Sequence, residues 1–287
     1  MLNYANKFLD IVIVDATYKR NRFNMPLINI IGVNNYGRTI LLGFGLMDDE
    51  KMDSYDWFFK SIKNIWKKEP KFFISDECNE IISGKLIHNF INTLGIKNNF
   101  KSKRLICAWH LQRNLASKFA SLSKKNKELY QKIINLPFTL FETDFNDIVK
   151  ELKKDGVISE DQLKYLDLKL KTKTSWAKCF IKKDFVAGIC TTSRVEALHS
   201  VLLDYLTSNS RLSEVLQAFR KIESTQIEKF NKEFEMAKGK NPKKFYNGYL
   251  IKELRNKITP YAVKKVEERL NFAISYQVEE LNNSNKW

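Results

Sequence analysis

Two short apolar runs close on an aspartate: Ile11-Val12-Ile13-Val14 before Asp15, and Phe72-Phe73-Ile74-Ser75 before Asp76. Apolar runs this short and without alternation fit strands covered on both faces, as parallel strands inside an α/β sheet are. Open α/β sheets bind their ligands beyond the C-terminal ends of such strands. If the two strands are neighbours they lie about 5 Å apart, and two carboxylates at their ends can share a divalent ion. Each aspartate taken singly also has a plainer role, starting the turn that follows a strand.

The segments around these runs set the topology. Pro26 precedes a run from Leu27 to Val33, and a further run spans Thr39 to Met47. The link Asn34-Asn35-Tyr36-Gly37-Arg38 supplies residues that tolerate positive φ, so the two runs read as an antiparallel hairpin. Ser54 can cap a helix whose apolar positions are Trp57, Phe58, Ile62, Ile65 and Trp66, with Pro70 ending it. After the strand Lys71 to Asp76, a second helix is expected from about residue 79 to 94, with Gly95 beyond its end. Arg104-Leu105-Ile106-Cys107 makes a short fifth strand. The order β-β-β-α-β-α-β predicts an α/β fold with a ribonuclease-H-like mixed five-stranded sheet, strand order 3-2-1-4-5, the first strand central and the fourth beside it.

Beyond His110 the texture changes. Leu, Ile and Phe alternate with Lys and Glu, and breaks fall near Pro137 and Gly156. Such a stretch is too long for a loop in a compact domain and reads as helices. The expected organisation is a first part of the core at 1–110, a helical insertion at 111–188, a last part of the core at 189–235, and a helical C-terminal extension at 236–287. The basic hinge Lys238-Gly239-Lys240-Asn241-Pro242-Lys243-Lys244 interrupts the last region.

Charge narrows the partner. The chain has 49 Lys and Arg against 33 Asp and Glu, a net charge of +16. Such an excess favours nucleic acid or another polyanion, although a lysine-rich surface also serves solubility. Arg20 and Arg22 after the first strand, and Lys101, Lys103 and Arg104 before the fifth, are candidate phosphate contacts. Four scattered cysteines make no disulfide framework and fit a reducing, intracellular compartment. No apolar stretch approaches the roughly 20 residues of a membrane helix.

Phosphoryl transfer with two metal ions needs hard oxygen ligands, and two acids are usually too few. The best third candidate is Glu196, in Thr191-Thr192-Ser193-Arg194-Val195-Glu196. The alternative is a capping box, with Ser193 and Glu196 serving only their own helix end. Cys107-Ala108-Trp109-His110 is half a zinc site at best. It reads better as a buried cysteine at a strand end with a positioned histidine beside the active site, and Trp109 as core.

Taken in order, Asp15-Ala16-Thr17-Tyr18-Lys19, Pro26-Leu27, Gly32-Val33-Asn34, Gly37-Arg38, Ser54-Tyr55-Asp56-Trp57-Phe58, Ser75-Asp76 and Cys107-x-x-His110 resemble the Mutator-like element (MULE) transposase domain over about residues 8–120. Thr192 to Leu203 resembles the segment carrying that family's last acid, and Ile258-Thr259-Pro260-Tyr261 the lead-in to its C-terminal zinc module. The resemblance implies a DDE triad at Asp15, Asp76 and Glu196 holding two Mg²⁺ or Mn²⁺ ions, with Cys107 and His110 as active-site auxiliaries. It implies cut-and-paste DNA transposition: metal-dependent cleavage at element ends, then attack of the freed 3′-OH on target DNA. The expected partners are double-stranded DNA, at transposon ends and target, and further copies of the chain. A membrane or a small-molecule substrate is not expected, and the location is nuclear. Within these 287 residues the family's zinc-binding modules, before Asp15 and after Glu280, are not found. Two other readings stay open: a domesticated transposase that binds DNA in transcription without catalysis, and a ribonuclease-H-type nuclease without strand transfer.

Overall fold

Runs rich in β-branched and aromatic residues, separated by short polar turns, assemble into one sheet. The computed structural model describes residues 7–66, 69–76, 102–154, 156–181, 186, 188–238, 249–255 and 257–274. Strands β1 (Ile11–Thr17), β2 (Leu27–Val33), β3 (Thr39–Leu46), β4 (Phe72–Ser75) and β5 (Lys103–Ile106) form a mixed five-stranded sheet in the order β3-β2-β1-β4-β5. The β1–β2 and β2–β3 pairs are antiparallel, and β1–β4 and β4–β5 are parallel. This is the mixed α/β sheet and strand order that the sequence predicts.

Strand ends differ from expectation by a residue or two, and one difference matters. β1 does not stop before Asp15 but runs on to Thr17. On one side β2 keeps pairing as far as Thr17 with Leu27, while on the other β4 stops at Val14 with Ser75. Asp15 therefore stands where the parallel partner ends, with an antiparallel partner, Asn29, still beside it.

The period of two along each strand divides the core into two layers. Val12, Val14, Ile28, Ile30, Ile40 and Leu42 pack on helix α1 (Met52–Ile65) through Tyr55, Phe58, Phe59 and Ile62. Ile11, Ile13, Leu27, Ile31, Ile74 and Leu105 face helices α8 (Ser193–Leu203) and α9 (Leu212–Lys238), meeting Val195, Leu198, Leu202, Val215 and Phe219. Asp15 shares its parity with Ile11 and Ile13, so it belongs to the α8 face.

Helix α1 corrects two expectations. Its N-cap is Lys51, without a side-chain cap, and Ser54 Oγ instead donates to Asp49 Oδ1 at 2.6 Å. Asp49 also accepts the Lys51 N–H, so the acid just outside the helix organises its start. Trp57 and Ile65, expected on the apolar face, are exposed, while Tyr55 and Phe59 are buried in their place. The buried face is set by where β3 offers room. A Cβ on Gly45 would lie 2.5 Å from the Phe58 ring. Gly45→Ala is therefore expected to cost about 1–3 kcal/mol through overpacking, read as a lower urea midpoint. Unchanged stability would show that the ring has space to move.

Between β5 and α8 the described residues form helices α2 (Ala108–Lys118), α3 (Ala120–Lys125), α4 (Lys127–Ile134), α5 (Glu142–Leu152), α6 (Glu160–Lys171) and α7 (Lys178–Ile181). They bury their own cluster, including Leu111, Leu115, Phe119, Ile133, Phe145, Leu166 and Trp176. The breaks fall where the sequence places them. Pro137 lies in a 3-10 turn, and Gly156 takes φ 76°, which favours glycine. A complete capping box, Ser159 with Gln162, starts α6.

By its contacts the chain divides into two units, residues 1–34 with 39–228, and residues 35–38 with 229–287. In the second unit helices α10 (Tyr249–Arg255) and α11 (Pro260–Ile274) are joined by an Arg255–Glu267 ion pair of 3.1 Å. The helix expected near 79–94, the basic hinge from residue 239 and Lys101 lie outside the described residues. Among the described residues no helix is long and apolar enough to cross a membrane.

Candidate active site

Three elements distant in sequence deliver the acids to one place within the first unit. Asp15 comes from β1, Asp76 follows β4 directly, and Glu196 sits in the first turn of α8. His110, in the first turn of α2, lies among them. Its Nδ1 is 3.8 Å from Asp76 Oδ1 and its Nε2 is 3.7 Å from Glu196 Oε1. One imidazole thus spans two of the carboxylates. Asp15 lies close enough for the negative charges of both to act on it.

Backbone bonds explain why α2 and α8 start here. The Cys107 N–H donates to Ser75 O at 2.9 Å, extending the β4–β5 alignment by one residue, and the Ala108 N–H donates to Cys190 O at 3.0 Å. Cys107 is the N-cap of α2 and is fully buried. Thr192, the buried N-cap of α8, ties the two helix starts together. Its N–H donates to Cys107 Sγ at 3.3 Å, and its hydroxyl donates to Glu196 Oε1 at 2.9 Å. The same hydroxyl lies 3.3 Å from His110 Nδ1 and 3.2 Å from Cys107 Sγ.

These contacts overturn the capping-box reading of Ser193 and Glu196. The helix begins at Ser193 rather than after it, and Ser193 Oγ bonds Thr191 Oγ1 at 2.8 Å. Glu196 is then one position too far along to serve the helix end, and its side chain turns to Thr192 and His110. Trp109 is likewise not core. It is 38% exposed, with the Arg113 guanidinium 4.9 Å from its ring centre.

The electrostatics follow from the burial. Asp15 is pushed up to about 7, first by burial and then by the negative charges of Asp76 and Glu196, against the Ala16 N–H and His110. His110 is pushed up to about 9 by its hydrogen bond to Cys107, with help from Asp76 and Asp15, against burial. Burial works to raise the Cys107 thiol, yet hydrogen bonds from His110 and Thr192 bring it below its ordinary value. At neutral pH His110 is a cation facing acids.

A second histidine, absent from the candidates that the sequence offered, lies on the other side of Asp15. His199 Nδ1 is 3.9 Å from Asp15 Oδ2, and its Nε2 is 3.0 Å from Asn29 Nδ2. Burial and the nearby charge of Arg20 press its pKa down to about 4. A histidine three residues after an acid in a helix was the available signal, since positions three apart share a face. Thr192 and Asn29 carried no signal of their own.

Of the basic candidates, Arg104 reaches the site, with Nη2 3.5 Å from both Ser75 Oγ and Asp76 O. Arg20 lies near His199. Arg22 stacks over the Phe23 ring at 5.1 Å, in a loop tied to Ser210 by its N–H. Lys103 pairs with Phe72 at the opposite end of β4, about 13 Å along the strand from the acids.

Carboxylates are the hard oxygen donors that Mg²⁺ and Mn²⁺ take, and Asp15 behaves as a buried acid short of positive charge. The donor set suits a divalent ion in its chemistry. In spacing it is open: among the described residues no three His, Cys, Asp or Glu side chains stand close enough to enclose one ion.

The fold and the site define an α/β protein with an acidic centre where two parallel strands of a mixed sheet end. Residues 11–114 match the family model of the MULE transposase domain. Over 217 residues, 74% of its length, it is 25% identical to Protein FAR1-RELATED SEQUENCE 6 of Arabidopsis thaliana, covering 28% of that protein. It is 24% identical to Protein FAR-RED IMPAIRED RESPONSE 1 of the same plant, over 74% of this chain and 24% of that one. With Protein FAR1-RELATED SEQUENCE 11 the match takes in 94% of this chain at 22% identity, and 38% of the relative. The chain thus spans roughly a quarter to two fifths of the curated relatives it matches.

Proposed function

We propose that this chain is the catalytic core of a DNA transposase with a ribonuclease-H-like fold, cleaving DNA at transposon ends and joining the freed 3′-OH to target DNA. One observation carries the reading: Asp15, Asp76 and Glu196, from three separate elements, converge around His110. In this reading residues 111–188 are an insertion between the second and third acids. The three carboxylates would hold two Mg²⁺ or Mn²⁺ ions. When bound, such ions activate the attacking oxygen and stabilise the leaving one. The chain's own groups do the rest. Arg104, beside Asp76, and Arg20, beside His199, are placed to receive phosphate oxygens. His110, held by Cys107 and Thr192, keeps a proton next to Asp76 and Glu196 and offers positive charge to a departing oxygen. The partner is double-stranded DNA in the nucleus, approached by a chain of net charge +16 and acting as a homo-oligomer.

A second reading has an observation of its own. The His110 imidazolium already offsets one of the two charges of Asp76 and Glu196, which suits a transposase-derived protein that binds DNA without cutting it. The test is a plasmid-nicking and end-joining assay with Mn²⁺. The expected result is nicking and transfer of labelled 3′-OH ends to plasmid, lost in Glu196→Gln with DNA binding retained. Salt-sensitive binding with no Mn²⁺-dependent nicking would favour the non-catalytic reading. Nicking without joining would leave a nuclease.

A further inference from the structure

We propose that His199 is a positioning residue for Asp15, its Nδ1–H turned to the carboxylate and its ring held in that tautomer by Asn29. The proposal rests on the reading of Asp15 as a functional metal-binding acid. Asn29 is the cross-strand partner of Asp15 on β2 and is fully buried. Its amide nitrogen lies 3.0 Å from His199 Nε2 and 3.3 Å from Leu27 O. The two amide hydrogens are thereby used, so Nε2 accepts and the ring proton sits on Nδ1. The reverse orientation would set Asn29 Oδ1 against Leu27 O, two acceptors facing each other. Nδ1 is the atom 3.9 Å from Asp15 Oδ2.

Two further facts point the same way. Asn29 Oδ1 is buried without a hydrogen-bond partner. Leaving that oxygen unpaired is a cost to the fold, and what the residue secures is the pair of bonds from its amide nitrogen to His199 and Leu27. His199 also follows Glu196 by three positions, so one face of α8 delivers both the third acid and the clamp on the first. At 3.9 Å the contact is longer than a closed hydrogen bond. Contacts of this kind tighten when the active site is filled. Partners that orient a ligand in this way are typically worth about 10–100-fold in metal affinity or activity.

The experiment uses the full chain labelled with ¹⁵N-histidine. Only three histidines occur, so His110→Asn and His199→Gln variants assign the signals. His199 is expected as the Nδ1–H tautomer, and Asn29→Leu is expected to release that preference. An Nε2–H tautomer in the wild-type chain overturns the proposal. Mn²⁺ binding, followed by water-proton relaxation, is expected to weaken about tenfold in both Asn29→Leu and His199→Phe. His199→Asn, which keeps an N–H, is expected to recover part of the loss. Wild-type Mn²⁺ affinity in a folded Asn29→Leu or His199→Phe protein also overturns it. A wild-type chain that binds Mn²⁺ without nicking DNA ends the cleavage reading and leaves this proposal standing.

Discussion

Asp15→Asn is expected to lower Mn²⁺-dependent nicking by at least about 10³-fold and to make the metal-free protein more stable at pH 8. The two effects have one cause. The folded chain holds Asp15 at about 7, against 3.8 for an ordinary aspartate, because the carboxylate is buried and faces two other acids. Between these values the folded state binds more protons than the unfolded state. Stability therefore falls as pH rises from about 4 to 7, and the full penalty persists above. A shift of three units corresponds to at most about 4 kcal/mol, and to about 3 kcal/mol once the exposed fifth of the side chain is discounted. Asparagine keeps the shape, can still accept the Ala16 N–H, and carries no charge. The variant should melt about 5 °C above wild type at pH 8, and level with it near pH 4. Added Mn²⁺ should narrow the gap by stabilising only the wild type. A variant no more stable than wild type at pH 8 would mean that Asp15 is already neutralised, and the case for a cation there would fall.

That pattern, a side chain which costs the fold stability and stands at the mouth of the sheet, was partly legible in the sequence. The strand order followed from where apolar runs and turns fall, because β1 and β4 are covered on both faces and hold Ser75 as their one polar residue before the acids. Asp15 and Asp76 were found for the same reason. Glu196 was found with an ambiguity, since its spacing from Ser193 imitates a cap. Only the backbone, which starts the helix at Ser193, separates the two uses. Asn29 was hidden inside an apolar run, where one polar residue among Leu27, Ile28, Ile30 and Ile31 has no periodic signature. Thr192 was hidden as well, because its role comes from meeting Cys107 across 85 positions of chain. Trp109 was misassigned because its run marks a strand end and helix start, where exposure depends on which way the first turn faces.

His110→Asn tests the charge balance from the other side. The folded chain raises His110 from 6.5 to about 9, through its bond to Cys107 and the nearby acids. For a raised histidine the stabilisation is complete below pH 6.5 and is lost as pH climbs through 9. The variant is therefore expected to lose about 2 kcal/mol at pH 6, allowing for the exposed part of the ring, and much less at pH 10. The sign is opposite to that of Asp15→Asn, although both variants gain on the wild type as pH rises. The two changes should not add: with Asp15 neutral, His110 has one partner fewer, and a coupling of about 0.5–3 kcal/mol is expected for charges this close. The decisive measurement adds Mn²⁺ at pH 7. Without the imidazolium, Asp76 and Glu196 lose the positive charge that stands 3.8 Å from one and 3.7 Å from the other. If the acids exist to hold metal, Mn²⁺ should raise the melting temperature of His110→Asn by more than it raises that of wild type. If His110 is the permanent counter-charge of a protein that only binds DNA, Mn²⁺ should stabilise neither.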